Sequence, residues 1–83
     1  MTKYICDGME YSFNPETGLL RDNYGSLVAS LRKNSATEQF WMINDTLPAN
    51  HPARIMHEGH TNSLPTTDYE IGHSLVYMFA AQD

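Results

Sequence analysis

The chain holds a single cysteine, Cys6, among 83 residues, so no intrachain disulfide is available to it. Small secreted domains lean on such staples, and the lack of them is read as placing the chain in the reducing cytoplasm. Long apolar runs are also missing. Nothing approaches the roughly 20 residues that span a bilayer, and the opening MTKYICDGMEYS has no signal-peptide apolar region. No membrane partner is expected.

Cations are scarce after residue 33. Residues 1–33 balance Asp7, Glu10, Glu16 and Asp22 against Lys3, Arg21, Arg32 and Lys33. Residues 34–83 set Glu38, Asp45, Glu58, Asp68, Glu70 and Asp83 against Arg54 alone, and so carry the whole net charge of −5. Counterion-release binding needs clustered cations, so no direct nucleic-acid contact is expected. All four histidines lie in this acidic half, where mild acid would neutralise much of the charge.

Catalytic motifs are absent as well. HPARIMHEGH at 51–60 holds three histidines and a glutamate, but His57-Glu58-Gly59-His60 is one residue shorter than the zinc-protease HExxH, and Gly59 interrupts the helix that motif needs. A looser metal site from His51, His57, His60 and Glu58 is the alternative; solvated histidines are the favoured reading. Cys6 falls on an apolar face, where a thiol is a small core residue rather than a nucleophile. No serine elbow, phosphate-binding glycine loop or carboxylate pair occurs. No internal repeat is visible, no cofactor is expected, and a non-enzymatic role follows.

What is present begins with a turn. Asp7-Gly8 lies between YIC and MEY, and Asp-Gly suits a two-residue type I′ turn. The implied register pairs Cys6 with Met9, Tyr4 with Tyr11 and Thr2 with Phe13 on a nearly apolar face, and puts Ile5/Glu10 and Lys3/Ser12 on the other. In FNPETGLL, Pro15 and Gly18 close a second hairpin that sets Leu20 opposite Phe13 and Arg21 opposite Ser12. The strands are expected at about 2–6, 9–13 and 19–22.

Beyond Asn23 the spacing of Tyr24, Leu27, Val28 and Leu31 is i, i+3, i+4, i+7, which predicts an amphipathic helix over 24–33. Ser35 and Glu38 have capping-box spacing for a short helix, whereas the run Phe40 to Ile43 suits a fourth strand over 38–43, the reading adopted because the beta-rich start supplies a sheet to join. Residues 44–66 lack sustained periodicity and read as a long connection with one short helix near 51–58. Thr67 and Glu70 have capping-box spacing for a last helix over 67–81, with Ile71, Leu75, Met78 and Phe79 as its core stripe. The fold class expected is therefore α+β: a small antiparallel meander of three or four strands with two main helices on one face, making 1–83 one domain.

YSFNPETGLL resembles the short N-terminal hairpins of some phage HNH-type endonucleases. The likeness covers about ten residues, without that family's basic surface or histidine-asparagine-histidine finger, so it implies no activity and no site residues here.

The last helix carries the candidate site. Away from its core stripe stand Tyr69, His73 and Tyr77 at i, i+4, i+8, with Glu70 and Val76 alongside. Solvated helix faces are usually rich in Lys, Glu and Gln, whereas tyrosines favour interfaces. Trp41 reads as core or as an interface anchor. The expectation is a stoichiometric protein-binding module, an inhibitor or adaptor of the phage-accessory, anti-defence type. It would occlude a larger protein through Tyr69, Glu70, His73, Val76 and Tyr77, with Glu58 and Asp45 of the acidic connection. A homodimer seam on the last helix is the other assembly considered.

Overall fold

A computed structural model describes residues 1–82. Six antiparallel strands follow one another across a single sheet in chain order: β1 Thr2–Cys6, β2 Met9–Asn14, β3 Leu19–Asp22, β4 Leu27–Asn34, β5 Gln39–Asn44 and β6 Ile55–His60. One helix, α1 Asp68–Ala80, packs on one face of the sheet. The expected fold of three or four strands under two helices is thus corrected to a six-stranded meander under one helix.

The first hairpins form in the register the turns dictate. Asp7 and Gly8 both take positive φ, 51° and 78°, as a type I′ turn requires. Cys6 faces Met9, Tyr4 faces Tyr11 and Thr2 faces Phe13, and Phe13 in turn faces Leu20. Tyr4, Tyr11, Phe13 and Leu20 all enter the core under α1.

The helix expected over 24–33 is strand β4. Four successive residues, Val28 to Leu31, are buried, a pattern one stripe of a surface helix does not produce. They fit a central strand in which Val28 is an extra residue, at the register shift between Ala29 and Leu27, and Ser30 is buried on the face away from the helix. Ala29 pairs with Leu20 and Leu31 with Met42 on the helix side, while Ser30 lies between Leu19 and Ile43 on the other. Local chemistry enforces the choice. The Asp22 carboxylate accepts the N–H groups of Tyr24 and Ser26, which folds residues 22–26 into a loop and leaves Tyr24 at its tip.

The same device recurs along the sheet. Asn14, Asp22, Asn34 and Asn44 end β2, β3, β4 and β5, and the Oδ1 of each accepts the N–H two residues on. Asn14-Pro-Glu-Thr-Gly18 and Asn34-Ser-Ala-Thr-Glu38 are counterparts: each closes on a left-handed residue, Gly18 at φ 73° and Glu38 at φ 55°. Glycine adopts that conformation freely; Glu38 does so against its Cβ.

The connection expected over 44–66 is shorter. Arg54 donates to the Leu47 carbonyl and the Asp45 carboxylate, while the Asn44 N–H bonds the Arg54 carbonyl. These bonds close residues 45–54 into a loop. The chain then runs along β5 as β6, where a helix near 51–58 was expected. Met56 is an extra residue in β6, at the register shift opposite Met42 and Ile43, and packs against the core. A 3-10 turn at Thr61–Ser63 leads to α1.

Helix α1 starts at the expected capping box. The Glu70 N–H bonds Thr67 Oγ1, whose hydroxyl donates to the Glu70 carboxylate. Its buried residues are Ile71, Gly72, Leu75 and Val76, with Met78 and Phe79 partly buried at the margin. Gly72 causes that rotation. A Cβ there would overlap the Tyr4 hydroxyl and come within 2.7 Å of the Phe13 ring, so glycine lets the helix settle onto β1 and β2 and draws Val76, one turn on, into the core. At the far end Gln82 accepts from Asn44 Nδ2 and donates to the Ala53 carbonyl, tying the helix to β5 and the loop.

Candidate functional site

A meander leaves its first and last strands unpaired on one side, and β1 is the first. In a two-residue hairpin the residues flanking the turn exchange main-chain bonds, so Cys6, Tyr4 and Thr2 direct their N–H and C=O groups to β2. The alternate residues, Lys3 and Ile5, therefore turn theirs outward at the open edge. Ile5 is 77% exposed, unusual for isoleucine in a strand.

Helix α1 runs beside this edge. The Tyr4 hydroxyl donates to the Tyr69 carbonyl at 2.7 Å, and the two rings lie 5.2 Å apart. His73 stacks near-parallel on Tyr69 at 6.5 Å and sits 6.4 Å from Tyr4. A groove of about 390 Å³ between strand and helix is lined by Lys3, Tyr4, Ile5, Cys6, His73 and Tyr77 among others. Burial pushes the Tyr4 phenol above its ordinary value near 10, helped by the neighbouring Tyr69 and Asp68. It stays a neutral donor, as its bond to the Tyr69 carbonyl needs.

The expected site residues separate in space. Tyr69, His73 and Tyr77 form one exposed flank facing the groove, whereas Val76 is buried at its base. Glu70 is exposed and engaged in the helix cap. Glu58 lies on β6 opposite Trp41, at the other edge of the sheet. Asp45 is paired with Arg54 at 3.4 Å. Lys3, Tyr4 and Ile5 complete the flank on the strand side. Their signal was available in Asp7-Gly8, because a hairpin that opens a meander makes its first strand an edge.

Among the described residues no three His, Cys, Asp or Glu side chains gather as metal ligands. His57 faces Met42 and lies 5.5 Å from the Phe40 ring, whereas His60 pairs with Gln39 on the opposite face. A cavity of about 450 Å³ lies between the 45–54 loop and the end of α1. Its polar groups satisfy one another: Asn44 bonds Thr46 and Gln82, Gln82 bonds Ala53, and His51 Nδ1 accepts from Ala53. Among the described residues no carboxylate lines it. No helix among the described residues is long and apolar enough to cross a membrane.

No known protein family, curated protein or solved structure matches the chain.

Proposed function

We propose that the chain is a non-enzymatic protein-binding module that docks a protein strand along the open β1 edge and packs it against the aromatic flank of α1. One observation carries this reading: the outward main-chain groups of Lys3 and Ile5 lie beside exposed Tyr69, His73 and Tyr77 along a single groove. Strand addition draws affinity from main-chain bonds and selectivity from pockets for alternate side chains. This site offers both. An inhibitor or adaptor role belongs to the same reading, since pairing with a strand covers whatever that strand does in its own protein.

The test uses a synthetic peptide of residues 1–7 as a generic strand probe, beside the same peptide N-methylated at the positions of Lys3 and Ile5. The expected result is amide shift changes confined to β1 and the Tyr69–Tyr77 flank with the first peptide and none with the second. Equal changes with both peptides, or changes centred on β6, would refute strand docking at this edge.

A further inference from the structure

We infer that the strand docked at this edge is β1 of a second copy of the chain, paired about a two-fold axis that passes between the two Tyr4 residues. The inference rests on the reading of the edge as a strand-docking site and names its occupant.

Two features of one chain fit the same axis. On the strand, the outward residues are Lys3 and Ile5, with Tyr4 midway. An antiparallel copy centred on Tyr4 lets each Lys3 exchange both main-chain bonds with Ile5 of the other copy, leaving neither unpaired. On the helix, the exposed flank is Tyr69, His73 and Tyr77, with His73 midway. A two-fold axis perpendicular to the sheet keeps both helices on one side and runs them antiparallel. It sets Tyr69 of one copy toward Tyr77 of the other, and the two His73 residues together. For both arrangements to share one axis, Tyr4 and His73 must be neighbours. Their rings are 6.4 Å apart.

Charge agrees with this register. On the face away from the helices the row across the seam reads Ser12, Lys3, then Ile5 and Glu10 of the second copy. Lys3 of each chain thereby faces Glu10 of the other across an isoleucine, extending the 3.7 Å pair that Lys3 makes with its own Glu10. A copy centred on Lys3 would instead set the two lysines opposite each other, which is unfavourable.

The exposed area is sufficient. Ile5, Tyr69 and Tyr77 are 77%, 59% and 68% exposed. At about 150–250 Å² for an aromatic side chain, they offer on the order of 400 Å² per copy. With the strand edges, two copies bury on the order of 1,000 Å², near the lower bound for specific interfaces. A reversible, concentration-dependent dimer follows.

The register gives a chemical test. Thr2 and Cys6 are too far apart along one extended strand to be bridged, yet across this axis Thr2 of one copy lies opposite Cys6 of the other. That is a non-hydrogen-bonded pair, with Cα atoms about 4.5 Å apart, inside the range a disulfide spans. Thr2→Cys is therefore expected to give, on mild oxidation, a reducible covalent dimer of twice the 9.4 kDa chain, while the wild type under the same conditions does not. Sedimentation of the reduced wild type should show dimer growing with concentration, weakened at least tenfold by Ile5→Lys and unchanged by Glu58→Lys on the other edge. A wild type that stays monomeric at high micromolar concentration, or a Thr2→Cys chain that fails to crosslink, would overturn the dimer. If the strand peptide still binds β1 in that case, only the occupant is wrong; if it does not, the docking edge fails too.

Discussion

The two edges of the sheet each expose one isoleucine, Ile5 at 77% on β1 and Ile55 at 50% on β6, but differ in regularity and in what flanks them. Strand β6 carries an extra residue at Met56 and presents Glu58 and His60 on the face away from the helix. It ends in a 3-10 turn, where Ser63 caps the His60 carbonyl. Bulges and charged or polar residues are the usual means by which an edge discourages pairing. Strand β1 has an unbroken register with β2, one exposed isoleucine, and an aromatic helix flank beside it. Its ion pair, Lys3 with Glu10, is directed back within the chain. The pairing proposed here uses the edge with the unbroken register and the aromatic flank.

The strongest way to break this contrast is to unseat the helix from β1. Gly72→Ala drives a Cβ into the Tyr4 hydroxyl and the Phe13 ring, and its expected cost is about 3 kcal/mol, at the upper end for overpacking. The matching change at the other edge, Gly59→Ala, brings a Cβ to 3.2 Å from the edge of the buried Phe40 ring, a tight contact that a shift of a few tenths of an ångström relieves, at about 1 kcal/mol. Urea denaturation of both variants orders the two edges by how tightly each is packed.

Giving β1 the polarity of β6 is the next step. Ile5→Lys is expected to weaken self-association by at least tenfold, about 1.4 kcal/mol. Because the side chain is exposed, its effect on folding stability should stay within about 0.5 kcal/mol. Sedimentation and thermal melting of one preparation separate the two effects.

A change on the β5 and β6 side sharpens the comparison from the other direction. Glu38 holds a left-handed backbone at φ 55° while its carbonyl accepts from Thr61 just beyond β6. Glu38→Gly relieves that strain and is expected to stabilise the fold by about 1 kcal/mol. The dimer constant should not change.

The smallest effect is read at alkaline pH. A phenol whose folded pKa is raised contributes stability that is fully present below the unfolded value near 10 and is lost as pH climbs above it, because the unfolded chain releases that proton first. Tyr4 should therefore ionise late in an ultraviolet titration, and Tyr4→Phe should remove its contribution. The same substitution deletes the bond to the Tyr69 carbonyl, at about 1 kcal/mol.

How far the sequence could be read follows from how local each decision was. The first hairpins were legible because turn chemistry and alternation agreed at Asp7-Gly8 and again at Pro15 to Gly18. The cap of α1 was legible for the same reason: Thr67 and Glu70 are three residues apart. Strand β4 was not, because the extra residue Val28 and the buried Ser30 break the alternation and leave LVASL open to a helical reading. Asp22 and Asn34 were the missed signal, as turn-forming residues at both ends of the run. The polar strand β6 lacks an apolar period, and the Arg54 contacts that close the loop before it span seven and nine residues. At the site, Tyr69, His73 and Tyr77 were visible as an aromatic row. Val76 was placed outside because nothing in the helical spacing shows that Gly72 rotates the buried arc.

Hydrogen exchange resolved by residue, followed as protein concentration rises, tests the central claim most directly. The amides of Lys3 and Ile5 point away from β2 and should exchange fast in dilute solution, then slow together as the second copy pairs with them, while β6 stays unchanged. Fast exchange at Lys3 and Ile5 at every concentration, or protection that grows on β6 instead, would contradict the account.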